Sequence, residues 1–215
     1  MKVKIEIPNS LKDIKLRQYQ RFLRIENPNE MDLMVCMLDS DKNTLSNLKT
    51  NEFERITAHL NGLFDKEHEL TRIIDLNGVK MGLIPDFDEI TYGENKDITS
   101  YINDWSNMHK AIAVLYRPIT QKVRNKYLIE DYKGTRFTSE MMLEMPLDVV
   151  LGVLVFFWTL TNELLNYIPN YLQKEMEKNK TNSVQSGEVI TNLQHSLKEI
   201  LDEMSKLHRY PYIVV

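Results

Sequence analysis

The run from Val149 to Leu160, VVLGVLVFFWTL, constrains this chain more than any other stretch. It falls short of the roughly 18 to 20 apolar residues a membrane-spanning helix needs. Asp148 and Glu163 bracket it. It therefore reads as a buried core helix against which the rest of the chain packs. A length of 215 residues allows one sizeable core or two small ones. With 42% hydrophobic and 27% charged residues, the composition is that of an ordinary globular protein and argues against global disorder.

The segments around this run alternate between helical and strand periods. VKIEI (3–7) has period two and stops at Pro8, which predicts a short N-terminal strand. LRQYQRFLRI (16–25) places Leu16, Tyr19, Phe22 and Leu23 on one helical side and Arg17, Arg21 and Arg24 on the other. NEMDLMVCMLDS (29–40) predicts a short helix capped by Asn29. NEFERITAHLNGLFDK (51–66) predicts a third helix, with Phe53, Ile56, Leu60 and Leu63 or Phe64 on one face. In LTRIIDLNGVKMGLI (70–84), Asn77-Gly78 separates two strand-like runs and accepts the positive φ angles of a type I′ hairpin turn.

Thr91 is placed to cap one helical turn and Asp97 a second short helix. MHKAIAVLYR (108–117) reads as a helix ended by Pro118, with Arg117 suiting the dipole of its last turn. Met108, Ile112 and Leu115 or Tyr116 form its buried stripe, and Trp105 joins them one turn earlier. KYLIEDY (126–132) reads as a short strand or extended segment, and the chain from Thr138 onward as helical. Pro146 suits the first turn of a helix over 146–168, which Pro169 is expected to kink or restart. Residues 174–187 are polar, a surface loop or frayed turn. Residues 188–208 are amphipathic, with Ile190, Leu193, Leu197, Ile200, Leu201 and Met204 on one stripe. YIVV, with Ile213 and Val214, ends the chain as an apolar β-prone tail.

The expected fold is mainly α with a small β component (α+β): a helical bundle with an N-terminal strand and a central β-hairpin. The expected organisation is a core domain over 1–172, a polar loop over 173–187, and an amphipathic helix with an apolar tail over 188–215.

Several chemistries lack their motif. There is no GxGxxG or GxxxxGK[ST] phosphate loop, no HExxH, no GxSxG and no EF-hand loop. Cys36 is the single cysteine, so these residues form no intramolecular disulfide and no multi-cysteine zinc site, which favours a reducing compartment. His59, His68, His109, His195 and His208 are scattered and form no close metal-ligand pair. No cofactor and no metal are expected. The N-terminus has no apolar segment of the signal-peptide kind. His109 is the most tempting catalytic candidate, but a histidine hydrogen-bonded at a helix start is the favoured reading, and Cys36 reads as a small buried apolar residue. Eleven methionines hint at adaptable cores and binding faces.

The net charge of −4 gives no global drive toward nucleic acid. Charge is nonetheless polarised. Residues 12–24 carry five Lys/Arg against Asp13, close to +4. Residues 86–97 carry Asp86, Asp88, Glu89, Glu94 and Asp97 against Lys96, close to −4, and read as a solvated turn rather than a cation site. The two segments are expected to pair within one subunit or head-to-tail between subunits.

DITSYINDWSNMHKAIAVLYRPI (97–119) resembles a family of small proteins encoded by tailed bacteriophages, notably those of Bacteroidetes-type hosts. IPNSLKDIKLRQYQRFLRI (7–25), MGLIPDFDEITYGENKDI (81–98), YLIEDYKG (127–134) and MPLDVVLGVLVFFWTLTNELL (145–165) extend the resemblance over roughly residues 3 to 172. It carries over no catalytic residue. It implies a role in virion morphogenesis, with tail-assembly chaperones and small neck or tail structural proteins as the nearest classes.

The expectation is a non-enzymatic assembly protein of the host cytoplasm that binds other phage structural proteins and itself, without nucleic-acid specificity or membrane contact. The apolar faces of helices 16–25 or 188–208 would bind tail or neck components. Arg17, Arg21, Arg24, Asp86, Asp88, Glu89, Leu197, Leu201, Ile213 and Val214 are the candidate interaction residues. A permanent ring component of the connector or tail is the alternative. An enzyme or regulator using His109 with Tyr116 or Arg117 is the remote one.

Overall fold

The computed structural model describes residues 5–178, with side chains through Leu160 and at Asn162 and Glu163. It has an α+β fold. Eight α-helices, one short 3-10 turn and a four-stranded antiparallel sheet are formed by the described residues. The first layer is helical: α1 (Leu16–Leu23), α2 (Glu30–Met37), α3 (Lys42–Ser46) and α4 (Thr50–Phe64). Asn29 caps α2, its side chain accepting from the Asp32 amide while Asp32 returns the bond to Asn29, so two orphan donors are satisfied. Asp41 caps α3, a helix the apolar periodicity does not announce.

The sheet is a meander in the order β1 (Ile73–Leu76), β2 (Val79–Leu83), β3 (Tyr116–Val123), β4 (Lys126–Ile129). Asn77 and Gly78 take φ of 53° and 83°, as a type I′ turn requires. Helices α5 (Tyr92–Tyr101) and α6 (Met108–Leu115) lie between β2 and β3. Tyr127 packs over Gly82, where any Cβ would sit 2.5 Å from its ring. Its hydroxyl donates to the Leu83 carbonyl at 2.8 Å. After β4, α7 (Ser139–Met142) leads into the long α8 (Leu147–Lys178).

One cluster of buried side chains runs from Leu11 to Leu154. The start of α8, from Leu147 to Leu154, is almost wholly enclosed, as its apolar sequence demands. Gly152 lets the 65–70 segment touch this helix, because a Cβ there would lie 2.3 Å from the Glu69 carbonyl oxygen. The chain ends of the first layer are closed by backbone bonds: Leu16 and Arg17 donate to Met145 and Leu143, and Leu147 donates to Ile14.

Five expectations are corrected. Residues 5–8 form no strand; Ile5 packs against the core without a ladder partner. Asp97 starts no helix: it lies inside α5, which Thr91 caps as one continuous element with Glu94 closing the capping box. Helix α6 ends at Leu115, not at Arg117. Tyr116 pairs with Leu83 and Arg117 with Gly82, so pairing to β2 captures these residues as strand and Pro118 sits inside β3. The expected single hairpin is half of a four-stranded sheet. Helix α8 continues through Pro169 to Lys178, so 173–178 are helical rather than loop. The expectations for 179–215, including Leu197, Leu201, Ile213 and Val214, lie outside the described residues.

Candidate interaction surfaces

The basic side of α1 is an internal brace. Arg17 meets Glu144 at 2.8 Å and Asp39 at 3.2 Å, and Arg21 meets Asp39 at 3.0 Å. Arg21 also donates to the Val35 and Cys36 carbonyls, and Gln18 to the Met37 carbonyl, which supplies donors at the C-terminal end of α2. Burial alone would raise the Asp39 carboxyl, but the bonds and charges of Arg21 and Arg17 outweigh it and hold it low. Lys15 and Arg17 do the same for Glu144. Arg24 is exposed and makes no ion pair among the described residues. The apolar side of α1, with Leu16, Tyr19 and Phe22, is buried in the core, so this helix offers no apolar binding face. A groove of about 680 Å³ beside α1 is lined by Ile5, Pro8, Asp13, Lys15, Arg17 and Asp39, and its cations are already matched by Asp39 and Glu144.

The expected pairing of 12–24 with 86–97 inside one chain is therefore absent: Arg17 and Arg21 find their carboxylates at Asp39 and Glu144. Asp86, Asp88 and Glu89 are exposed on the turn after β2, with Asp86 accepting from the Asp88 amide. Among them sits Phe87, half-buried, its ring 5.8 Å from Phe156 and 5.4 Å from Phe157 of α8. Next along α8, Trp158 is 40% and Leu160 37% exposed. So α8 carries its apolar character out of the core, past the turn that bears these carboxylates. The described residues include no group of three or more His, Cys, Asp or Glu able to hold a metal ion. Among them, no helix is long and apolar enough to cross a membrane.

Glu94, the other carboxylate of this segment, is buried and pairs with Arg117 across α5 and β3. Burial alone would raise it; hydrogen bonds from the Thr91 side chain and backbone, with the Arg117 charge, outweigh that and hold it below the usual range. Tyr132 lies 5.7 Å beneath the Arg117 guanidinium and donates its hydroxyl to Asp97. Burial and this bond to Asp97 push the Tyr132 phenol well up.

His109 is buried at the start of α6. Its Nδ1 lies 3.2 Å from Gln20 Nε2, which also donates to the Trp105 carbonyl. Because that nitrogen is a donor, the arrangement selects the imidazole protonated on Nε2. Burial, then the Lys110 charge, lowers the His109 pKa. Tyr116 bonds the Thr71 carbonyl and Arg117 bonds Glu94, so the three residues of the remote enzymatic reading are engaged with three separate partners. Cys36 is buried, and burial raises its thiol pKa despite Arg21 nearby.

The far end of the sheet went unnoticed in the sequence. Tyr127 and Ile119 both meet the Gly82 side of the sheet, so Val79, Met81 and Leu83 share the opposite side. Register places Tyr116, Val123, Lys126 and Leu128 on that same side. Met81, Leu83 and Tyr116 are sealed in the core. Val79, Val123 and Leu128 are 39%, 59% and 59% exposed. Lys126 is exposed on their side, Arg124 at the β3–β4 turn and Lys80 and Lys122 on the reverse side, with Asp75 the nearby carboxylate in the β1–β2 hairpin.

No family model, no curated protein and no solved structure matches this chain.

Proposed function

We propose that this chain is a non-enzymatic bacteriophage assembly protein that binds tail or neck components through an apolar helix face, in the manner of a tail-assembly chaperone. The observation that carries the reading is the place where α8 leaves the core: Phe156 and Phe157 packed on Phe87 of the acidic 86–89 turn, followed along the helix by exposed Trp158 and Leu160. Aromatic anchors inside a charged rim are the usual anatomy of a protein-binding surface. The binding helix is α8, in place of the buried face of α1. The work would be done in the host cytoplasm during assembly.

The second reading, a permanent ring component of the virion, is favoured by the opposite charges at the two ends of the sheet. Mass spectrometry of purified particles, from a phage carrying the gene, separates the two. A chaperone is missing from particles, and its deletion leaves a tail component insoluble. A ring component is present in fixed stoichiometry. A gene that can be deleted with no effect on particle formation contradicts both.

A further inference from the structure

We propose that this protein self-associates head-to-tail, the tip of the β3–β4 hairpin of one copy docking on the acidic 86–89 turn of the next. The two surfaces lie at opposite ends of the sheet. The turn follows Leu83, which pairs with Tyr116 at the start of β3, whereas the tip follows Val123 at its end. At about 3.3 Å per residue the separation along β3 is roughly 23 Å. One surface carries an apolar strip, Val79, Val123 and Leu128, with Lys126 on the same side, Arg124 at the turn and Lys122 on the reverse side of the tip. The other carries Phe87 among Asp86, Asp88 and Glu89.

None of these three cations or three carboxylates makes an ion pair among the described residues, unlike Arg17, Arg21 and Arg117. Apolar therefore meets apolar while charge meets opposite charge, which fixes the register of docking and disfavours other partners. Arg124 supports the assignment. It stands at φ 54°, a left-handed position where glycine or asparagine is the easier occupant, so the tip presents a cation at the cost of local strain. The two surfaces are different patches, so the contact is heterologous and builds rings or open filaments.

The proposal goes beyond the partner-binding reading of α8. A strictly monomeric protein overturns it and leaves that reading intact, because the virion and solubility experiment is independent. The test is sedimentation velocity of the full chain over a concentration series at low and high salt. The parent should associate, and more weakly at high salt. The variants R124E/K126E and D88K/E89K should each weaken association about tenfold or more. A chain carrying all four substitutions should regain it, since an acidic tip then meets a basic turn. An equimolar mixture of the two double variants should also regain it, as an alternating head-to-tail chain, because the acidic tip of one meets the basic turn of the other and the basic tip of the other meets the acidic turn of the first.

Circular dichroism verifies that each variant is folded, and the salt series on the parent needs no variant. A monomeric parent, association indifferent to the reversals, or loss without rescue in the four-substitution chain overturns the proposal. So does a monomeric parent that carries nucleic acid and loses it in R124E/K126E.

Discussion

At one end of the sheet Leu83 and Tyr116 face each other across β2 and β3 and are sealed in the core; at the other end Val79, Val123 and Leu128 occupy the same side and meet water. An irregularity in the ladder between Ile119 and Gln121 shifts the alternation by one residue, so both ends present apolar side chains to the same side. What differs is the partner layer. Around Tyr116, α6, the start of α8 and the 70–72 segment converge, and the Tyr116 hydroxyl reaches the Thr71 carbonyl. The hairpin tip outruns that layer. A strand pattern therefore specifies a side to be covered, and the extent of the neighbouring helices decides whether the chain itself or another molecule covers it.

The strongest way to break the comparison is at the proximal end. Arg117→Met removes the partner of buried Glu94 and should cost about 4 kcal/mol, read by urea denaturation at neutral pH. Because the Glu94 carboxyl is held below its unfolded value, its contribution is complete above about pH 4.5. It is lost as pH falls through the folded value. The acid limb of the parent's stability curve should flatten in the variant, and an unchanged limb would mean the pair is not formed in solution. Gly152→Ala comes next. The new methyl meets a backbone carbonyl that cannot rotate away, which should cost about 3 kcal/mol by the same measurement. Tyr116→Phe removes one hydrogen bond from an otherwise unchanged ring and should cost about 1 kcal/mol.

Much of this fold was legible because the signals are local. Asn29 and Thr91 announced helix starts through their own side chains, and Asn77-Gly78 announced a turn by the φ angles it tolerates. Strand β3 was hidden because α6 flows into it without a turn residue. The switch at Tyr116 is set by pairing to Leu83 and by Glu94 gripping Arg117, both distant in sequence. Arg17 and Arg21 looked like a free basic face for the same reason: Asp39 and Glu144, which engage them, are apparent only once α2 and the 143–147 segment are folded against α1. The carboxylates of 86–89 were visible as exposed. Their counterpart at the hairpin tip was overlooked, since only the register shows that Val79, Val123 and Leu128 share a side.

The smallest expected effect on stability tests the central claim, that one side of one sheet is core at one end and contact surface at the other. The measurement is a paired thermal scan and sedimentation experiment on Val123→Ser with Leu128→Ser. Exposed positions away from buried networks change stability by about 0.5 kcal/mol or less. The account predicts a nearly unchanged Tm together with loss of self-association. A large fall in Tm would show that the distal strip is part of the core, and association equal to the parent's would show that it is not the contact; either result contradicts the account.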